Sequence, residues 1–277
     1  MGRNPVIALA YDFDGTLAPG NMQEHSFLPD IGISSEEFWK MAERYARKHN
    51  ADSVLTYMNL MLRKAQEAGA SIHREDFVRY GKSIKLFPGT ATWFKRVNQY
   101  GKKLNYHIEH YIISSGLREM IEGTEIAPYF KRIFASSFQY NENGVAEWPA
   151  LALNFTNKTQ YLFRINKGVL DVFDNKKINA PVAMKKRPVP FERIIFVGDG
   201  ETDIPCFSLV KSLGGHSIAV YLPKVPKSRL RAEQLVKDNR VNYIAPADYS
   251  ADSEMSTIVQ SIMDKIAIDD KLDLYTD

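Results

Sequence analysis

Two short acidic segments contain the residues of this sequence best suited to chemistry. Asp12-Phe13-Asp14-Gly15-Thr16 directly follows the apolar run 6–11, and Gly198-Asp199-Gly200-Glu201-Thr202-Asp203 directly follows the apolar run 193–197. In open α/β sheets, ligands bind at the carboxyl ends of the strands. If both apolar runs are strands of one sheet, their acidic ends meet at one edge. The carboxylates brought together there would be those of Asp12, Asp14, Asp199 and Asp203.

Each segment has a simpler explanation when it is taken alone. An Asp-x-Asp-Gly sequence also opens calcium loops, but Thr16 stands where such a loop needs Asp or Asn, and Gln23 where it needs Glu. Asp203 could cap a helix, with Asp199 as a turn residue. Two acidic turns at the ends of predicted strands favour a shared site instead. Such a cluster needs a counter-ion, and oxygen ligands favour a hard cation such as Mg²⁺.

Two further segments are suited to binding an anion. Ser114-Ser115-Gly116 follows the apolar run 110–113, and a hydroxyl group before a helix can donate to phosphate. It is also typical of an ordinary helix N-cap. Lys158 lies near the start of a predicted helix over 157–173, where a lysine is usually an exposed side chain. Three other lysines compete for its role: Lys167, Lys176 and Lys177.

Apolar runs that alternate with helical patterns predict the fold that would position these residues. Runs this apolar suit strands buried on both faces, as in a parallel sheet. The alternation predicts an α/β protein with a doubly wound, parallel, Rossmann-like sheet. Asn143-Gly144 also predicts a hairpin within 138–148. The candidate strands are 6–11, 110–113, 132–135, 193–197 and 217–222, and the candidate helices are 90–100, 117–123, 157–173 and 202–213.

One long segment interrupts the alternation and predicts a small all-helical cap domain. Within it, Ser34 and Glu37 have the spacing of a capping box at a helix start. Asp52 could cap a second helix. Pro and Gly at both junctions are typical of hinges. We therefore expect a core domain of residues 1–17 and 89–277 and a cap domain of residues 18–88.

The four segments, in this order, resemble the haloacid dehalogenase superfamily. The resemblance spans residues 6 to about 222 and includes a helical insert between the first and second motifs, as in the family's helical-cap group. The segment 134–158 further resembles the phosphoserine-phosphatase-like members. The matching motifs are Asp12-x-Asp14-Gly15-Thr16, Ser114 after a strand, Lys158 at a helix start, and Gly198-Asp199-x-x-x-Asp203.

The resemblance implies a magnesium-dependent phosphatase that forms an aspartyl-phosphate. Asp12 would attack phosphorus, and Asp14 would protonate the leaving oxygen and then activate water. Ser114 and Lys158 would complete the catalytic set, and Asp203 would act through water or by orienting Asp199. The implied Mg²⁺ ligands are Asp12, Asp14 through its carbonyl, Asp199 and Asp203. The implied phosphate-binding residues are Gly15, Thr16, Ser114, Ser115 and Lys158.

Composition limits the partners and the compartment. The 36 basic and 33 acidic residues give a net charge of +3, which is too weak to predict nucleic-acid binding. The basic cluster at 224–231 is either ordinary solvated surface or the source of a weak positive field that attracts anionic substrates. No apolar stretch approaches the about 20 residues of a membrane span. Cys206, the single cysteine, excludes an intrachain disulfide and favours the cytoplasm.

The expected partner is a small phosphorylated molecule, whose identity the sequence does not determine; nor does it determine the oligomeric state. Two alternatives stay open at this point. A phosphomutase or phosphotransferase would keep every motif, since these enzymes differ from a phosphatase only in the acceptor of the phosphoryl group. A metal-binding module without catalysis is the alternative from another class of protein.

Overall fold

A seven-stranded sheet lies at the centre of residues 4–275, the part of the chain that the structure, a computed structural model, describes. The ends of the predicted core domain, residues 1–3 and 276–277, lie outside it. The strand order is β4-β3-β2-β1-β5-β6-β7, and only the β3–β4 pair is antiparallel. The strands are β1 (Val6–Tyr11), β2 (His107–Leu117), β3 (Phe130–Tyr140), β4 (Ala146–Leu151), β5 (Ile194–Gly198), β6 (His216–Tyr221) and β7 (Tyr243–Pro246).

The central strands are buried on both faces, as their apolar sequences predict. In β1, Leu9 and Tyr11 pack into one apolar cluster, while Ala8 and Ala10 pack into another on the opposite face. This alternation follows from the two-residue period of a strand. The doubly wound α/β architecture expected from the sequence is confirmed, and so is the hairpin, which joins β3 to β4 around Gly144.

Helices cover both faces of the sheet. The predicted helix over 157–173 is too long: it ends at Lys167 because Gly168 adopts a left-handed conformation with φ of +68°. Sequence analysis did not predict β7 or the last two helices. After the insert, the helices are α5 (Thr90–Lys103), α6 (Arg118–Glu122), α7 (Thr159–Lys167), α8 (Asn175–Asn179), α9 (Ile204–Ser212), α10 (Pro226–Lys237) and α11 (Glu254–Asp273).

The insert between β1 and α5 is helical, as predicted. The Ser34 hydroxyl accepts a hydrogen bond from the Glu37 amide (3.2 Å) at the start of the first long helix. The Asp52 carboxylate accepts bonds from the amides of Val54 and Leu55 (2.9 Å each) at the start of the second. Both predicted N-caps are therefore confirmed. The helices of the insert are α1 (Phe27–Asp30), α2 (Ser35–His49), α3 (Ser53–Glu67) and α4 (Arg74–Gly81).

The insert is packed firmly against the sheet and its helices. A methyl group added at Gly81 of α4 would overlap the carbonyl of Met120, and one at Gly123 would overlap the carbonyl of Val78. The backbones of α4 and α6 are thus in direct contact. Apolar side chains of α2 and α3 belong to the same buried cluster as one face of the sheet. Within residues 4–275, no helix combines the length and apolarity of a membrane span.

The two N-cap side chains of the insert, Ser34 and Asp52, should contribute unequally to the free energy of unfolding. Asp52 accepts two backbone bonds and a third from the Asn154 side chain (2.8 Å), which joins α3 to the sheet domain. Ser34 accepts one bond at an exposed site. We expect Asp52→Ala to lower the free energy of unfolding by about 1–2 kcal/mol and Ser34→Ala by about 0.5–1 kcal/mol. Urea unfolding measures both, and a larger loss for Ser34→Ala would contradict this assignment.

Candidate active site

The two acidic turns meet because β1 and β5 are neighbours in the sheet. The pairing of these strands continues to the Asp12 amide, which donates to the Val197 carbonyl (2.9 Å). Three residues later, Gly15 turns the chain with φ of +74°. A methyl group at Gly15 would overlap the Asp199 carboxylate. Glycine therefore allows one acidic turn to lie directly against the other, as the sequence predicts.

A buried lysine joins the two turns electrostatically. The Lys158 ammonium group lies 3.1 Å from Asp12 Oδ1 and 2.9 Å from Asp203 Oδ1. Burial by itself lowers the pKa of Lys158, but the charges of Asp12 and then Asp203 outweigh it, so that the pKa is raised. Lys158 is therefore charged. It is placed by the turn before α7, in which its amide donates to the Asn154 carbonyl (3.1 Å).

Asp203 supports the turn that contains Asp199. While its Oδ1 accepts from Lys158, its Oδ2 accepts from the amides of Asp199 (3.2 Å) and Gly200 (3.4 Å). Both oxygens are therefore already bonded. Burial, and then the charge of Asp12, raise the pKa of Asp203 to about 6. This geometry fits the expectation that Asp203 orients Asp199.

The Asp14 carboxyl group is bonded to the insert. Its Oδ1 accepts from the Met22 amide (2.9 Å) on the first turn of the insert. Burial, and then the neighbouring Asp12 charge, raise the pKa of Asp14 well above its usual range. A carboxyl group with a raised pKa keeps its proton near neutral pH and can give it to a leaving group.

The predicted phosphate-binding residues separate into two groups. Ser114 is buried and its hydroxyl accepts from the Gly116 amide (3.0 Å), within a register shift of β2 against β3 that lies between Ser114 and Leu117. These residues line the same cavity as Gly15. Thr16 differs: its side chain is fully buried, does not line that cavity and has no hydrogen-bond partner among the described residues.

The cavity over these residues has a volume of about 1000 Å³. Asp199 is exposed to water within it, although protein surrounds most of its side chain. Lys158 and Asp203 are fully buried and lie outside its lining; they contact each other, and Lys158 also contacts Asp12. The predicted site residues that line the cavity are Asp12, Asp14, Gly15, Ser114, Ser115 and Asp199.

The carboxylates fit a hard divalent cation. Asp12, Asp199 and Asp203 each present an oxygen within 4.8 Å of those of the others. Burial, then Asp203 and Asp12, raise the pKa of Asp199 well above its usual range, which reflects mutual repulsion that a cation would remove. One lysine does not neutralise this many acids. An all-oxygen donor set is the one that Mg²⁺ prefers.

Sequence analysis missed two tyrosines that hold the loops of the site. The Tyr57 hydroxyl on α3 donates to the Ser115 carbonyl (2.6 Å), and the Tyr249 hydroxyl before α11 donates to the Thr16 carbonyl (2.8 Å). These bonds link the loops to residues 58 and 233 positions away in the chain. No local pattern marks either tyrosine, because each is placed by the tertiary fold.

Comparison with known proteins decides the family. The family model described as haloacid dehalogenase-like hydrolase matches residues 9–208. This chain belongs to that family. An uncharacterized protein of Borreliella burgdorferi is 29% identical to this chain over an alignment 293 residues long, gaps included. The alignment covers 96% of this chain and 98% of that protein.

Two solved structures share the fold of this family member. A haloacid dehalogenase family hydrolase from Salmonella enterica matches with a TM-score of 0.56 and 19% identity, over 82% of this chain and 66% of that one. A phosphoserine phosphatase, solved as a phospho-aspartyl intermediate analogue, matches with a TM-score of 0.52 and 15% identity, over 87% of this chain and 93% of that one. At these identities, the likeness is one of fold.

The contact between the two acidic turns can be tested at Gly15. Gly15 and Gly144 have nearly the same left-handed φ, +74° and +77°, but only a methyl group at Gly15 would meet other atoms within 4 Å. Both alanine variants are therefore strained, whereas only Gly15→Ala displaces Asp199. We expect Gly15→Ala to weaken Mg²⁺ binding about tenfold or more and Gly144→Ala to leave it unchanged, by isothermal titration calorimetry. Equal affinities in the two variants would contradict a role for this contact.

Proposed function

We propose that this family member is a magnesium-dependent phosphatase that hydrolyses a small phosphomonoester through an aspartyl-phosphate on Asp12. One observation carries the proposal. Asp12 opens onto the cavity beside Asp14, and the buried Lys158 ammonium group contacts its Oδ1 at 3.1 Å. The solved phosphoserine phosphatase of the same fold, described as a phospho-aspartyl intermediate analogue, supports a covalent route.

In the first step, Asp12 attacks phosphorus. A bond forms between a carboxylate oxygen and phosphorus as the bond to the ester oxygen breaks, and Asp14 gives its proton to the leaving alcohol. The raised pKa of Asp14, caused by burial and then by Asp12, keeps that proton available. The two carboxyl groups thus have different roles because one is in direct contact with the lysine and the other is bonded to a backbone amide instead.

In the second step, water attacks the phosphoryl group. Asp14, now ionised, takes a proton from the water, the bond from phosphorus to Asp12 breaks, and inorganic phosphate leaves. The hydroxyl and amide groups at Ser114 and Ser115 would bind the phosphoryl oxygens, and Lys158 would offset the charge around Asp12. The acid consumed in the first step is thereby restored.

A metal ion would be held by Asp12, Asp199 and the Asp14 carbonyl, with Asp203 orienting Asp199. Bound Mg²⁺ would supply positive charge to the phosphoryl oxygens and offset the negative charge of the carboxylates around it. Asp203 is suited to its supporting role because both of its oxygens already accept hydrogen bonds.

The insert favours a small substrate. Residues of α2 and α3 form part of the cavity wall, and Tyr57 joins α3 to the loop at Ser115. A phosphate group on a folded protein would have to reach past these helices to the strand ends. A small molecule can enter the cavity, where enclosure excludes water during chemistry.

The nucleophile can be tested by a change that preserves shape. Asp12→Asn removes the attacking oxygen, and we expect it to lower the turnover of 4-nitrophenyl phosphate about 10³-fold or more. Asp252→Asn, at an exposed position outside the cavity, is the matched control and should keep wild-type turnover. Mass spectrometry of quenched wild-type enzyme should find phosphate on Asp12. Similar rates in the two variants would overturn the covalent mechanism.

The role of Asp14 can be tested by varying the leaving group. In Asp14→Asn, an alkyl phosphate should turn over about 10²-fold more slowly or worse, because its alcohol needs a proton to leave. 4-Nitrophenolate leaves without a proton, so that aryl phosphate should still give a burst of product. The phosphoenzyme should then accumulate, because no base activates water. Rapid-quench kinetics measures both effects, and unchanged alkyl phosphate turnover would refute this role.

A further inference from the structure

The cavity extends far beyond the carboxylates, along one face each of α2 and α10. The lining residues of each helix recur at helical spacing over nine residues, a rise of about 12 Å at about 1.5 Å per residue. The lining residues of α2 are Trp39, Ala42, Glu43, Ala46 and Arg47. Those of α10 are Lys227, Ser228, Arg231, Gln234 and Leu235.

This length exceeds what a phosphoryl group needs. The phosphoryl group would occupy the end of the cavity at Asp12, Ser114 and Ser115, where the proposed catalytic residues lie. Two turns of helix on each wall remain for the rest of the substrate. In a phosphomonoester, that part is the leaving alcohol, so its shape and charge should match these walls.

The wall formed by α2 is largely apolar and carries no net charge. Trp39, Ala42 and Ala46 supply apolar surface, and the Trp39 indole is held by its bond to Glu24 (2.8 Å). The two charged residues of this wall, Glu43 and Arg47, pair with each other at 2.6 Å. Exposed apolar groups of Phe155 and Val225 also line the cavity. These surfaces suit an apolar section of a leaving group.

The wall formed by α10 carries two unneutralised cations. Lys227 and Arg231 are four residues apart on the face toward the cavity, and neither has an ion pair or side-chain hydrogen bond with any residue of the described chain. Arg229, in contrast, pairs with Glu233 (3.0 Å) and lies over the Tyr221 ring. The acidic residue Glu201 also lines the cavity, two residues from Asp199 rather than on α10. The cavity face of α10 is therefore positive.

We propose that the substrate is an elongated phosphomonoester whose leaving group carries a second anionic group, a carboxylate or another phosphate, bound by Lys227 and Arg231. The apolar section between the two anions lies against α2. This inference rests on the proposed phosphatase function and deepens it. It also gives a role to part of the basic cluster at 224–231, whose more ordinary interpretation is solvated surface.

Three substrates with the same six-carbon chain test the proposal: hexyl phosphate, 6-(phosphonooxy)hexanoate and hexane-1,6-diol bisphosphate. We expect the wild-type enzyme to prefer at least one of the two substrates that carry a second anion over hexyl phosphate, by about tenfold or more in kcat/KM. This is the size of effect typical of charged hydrogen bonds. The preferred one identifies the second anion as carboxylate or phosphate. In the double variant Lys227→Gln/Arg231→Gln, the ratio should fall to about one.

The control variant is Lys224→Gln/Lys237→Gln, which removes the same charge from the same segment at positions that do not line this cavity. It should keep the wild-type ratio. Absence of a preference in the wild type, or a preference that survives in Lys227→Gln/Arg231→Gln, would overturn the inference. Hydrolysis of 4-nitrophenyl phosphate by the wild type separates the two proposals. If this hydrolysis occurs but the wild type shows no preference among the three alkyl phosphates, only the proposed site for a second anion is refuted. If the hydrolysis does not occur, the proposed phosphatase function is refuted.

Discussion

The candidate site depends on one buried ammonium group. Lys158 contacts the carboxylates of Asp12 (3.1 Å) and Asp203 (2.9 Å), which come from the turns after β1 and β5. Without it, two like charges would be buried next to each other, a situation that costs several kcal/mol per ion. With it, the two turns can approach until Gly15 lies against Asp199. The lysine thus fixes the relative position of the residues that surround the proposed metal.

This pairing also explains why the acids of the site differ. Asp12 and Asp203 contact the lysine, whereas the Asp14 side chain accepts a bond from a backbone amide and has a pKa raised by burial and by Asp12. Neighbouring carboxyl groups with different surroundings can act as nucleophile and as acid in one reaction. The asymmetry arises from the fold, since Lys158 approaches from only one side of the cluster.

The parts of the site that sequence analysis predicted are those encoded locally. An acidic turn after an apolar run predicts a position at the carboxyl end of a strand in a parallel sheet. An N-cap residue such as Asp52 predicts where its helix begins. The end of α7 was misplaced because apolar residues continue after Gly168, whose backbone conformation stops the helix. The short β7 gives little pattern in four residues. Sequence analysis left two interpretations of the basic cluster at 224–231, solvated surface and a field for anionic substrates, because a surface cluster and a charged cavity wall have the same composition.

Contacts between distant segments could not be predicted from one sequence. Tyr57 and Tyr249 support the site through single hydrogen bonds to backbone carbonyls. Such a bond requires only that the fold places a hydroxyl group next to the carbonyl, so no sequence motif marks the residue that donates it. The volume of the cavity likewise becomes visible only when the fold brings α2 and α10 to line the same space.

The contact between Gly81 of α4 and Gly123 after α6 bears on how this protein can be divided into modules. The backbones touch there without intervening side chains, so α4 and α6 form one structural block although they belong to different predicted domains. Replacing the whole insert with that of a relative would remove one half of this block and leave the surface of α6 without its partner. The α2–α3 pair is joined to the rest of the protein by side chains instead, among them those of Asp52 and Tyr57, so it can be exchanged if the new segment keeps these two residues. Recombination that respects the fold would join the chains between α3 and α4.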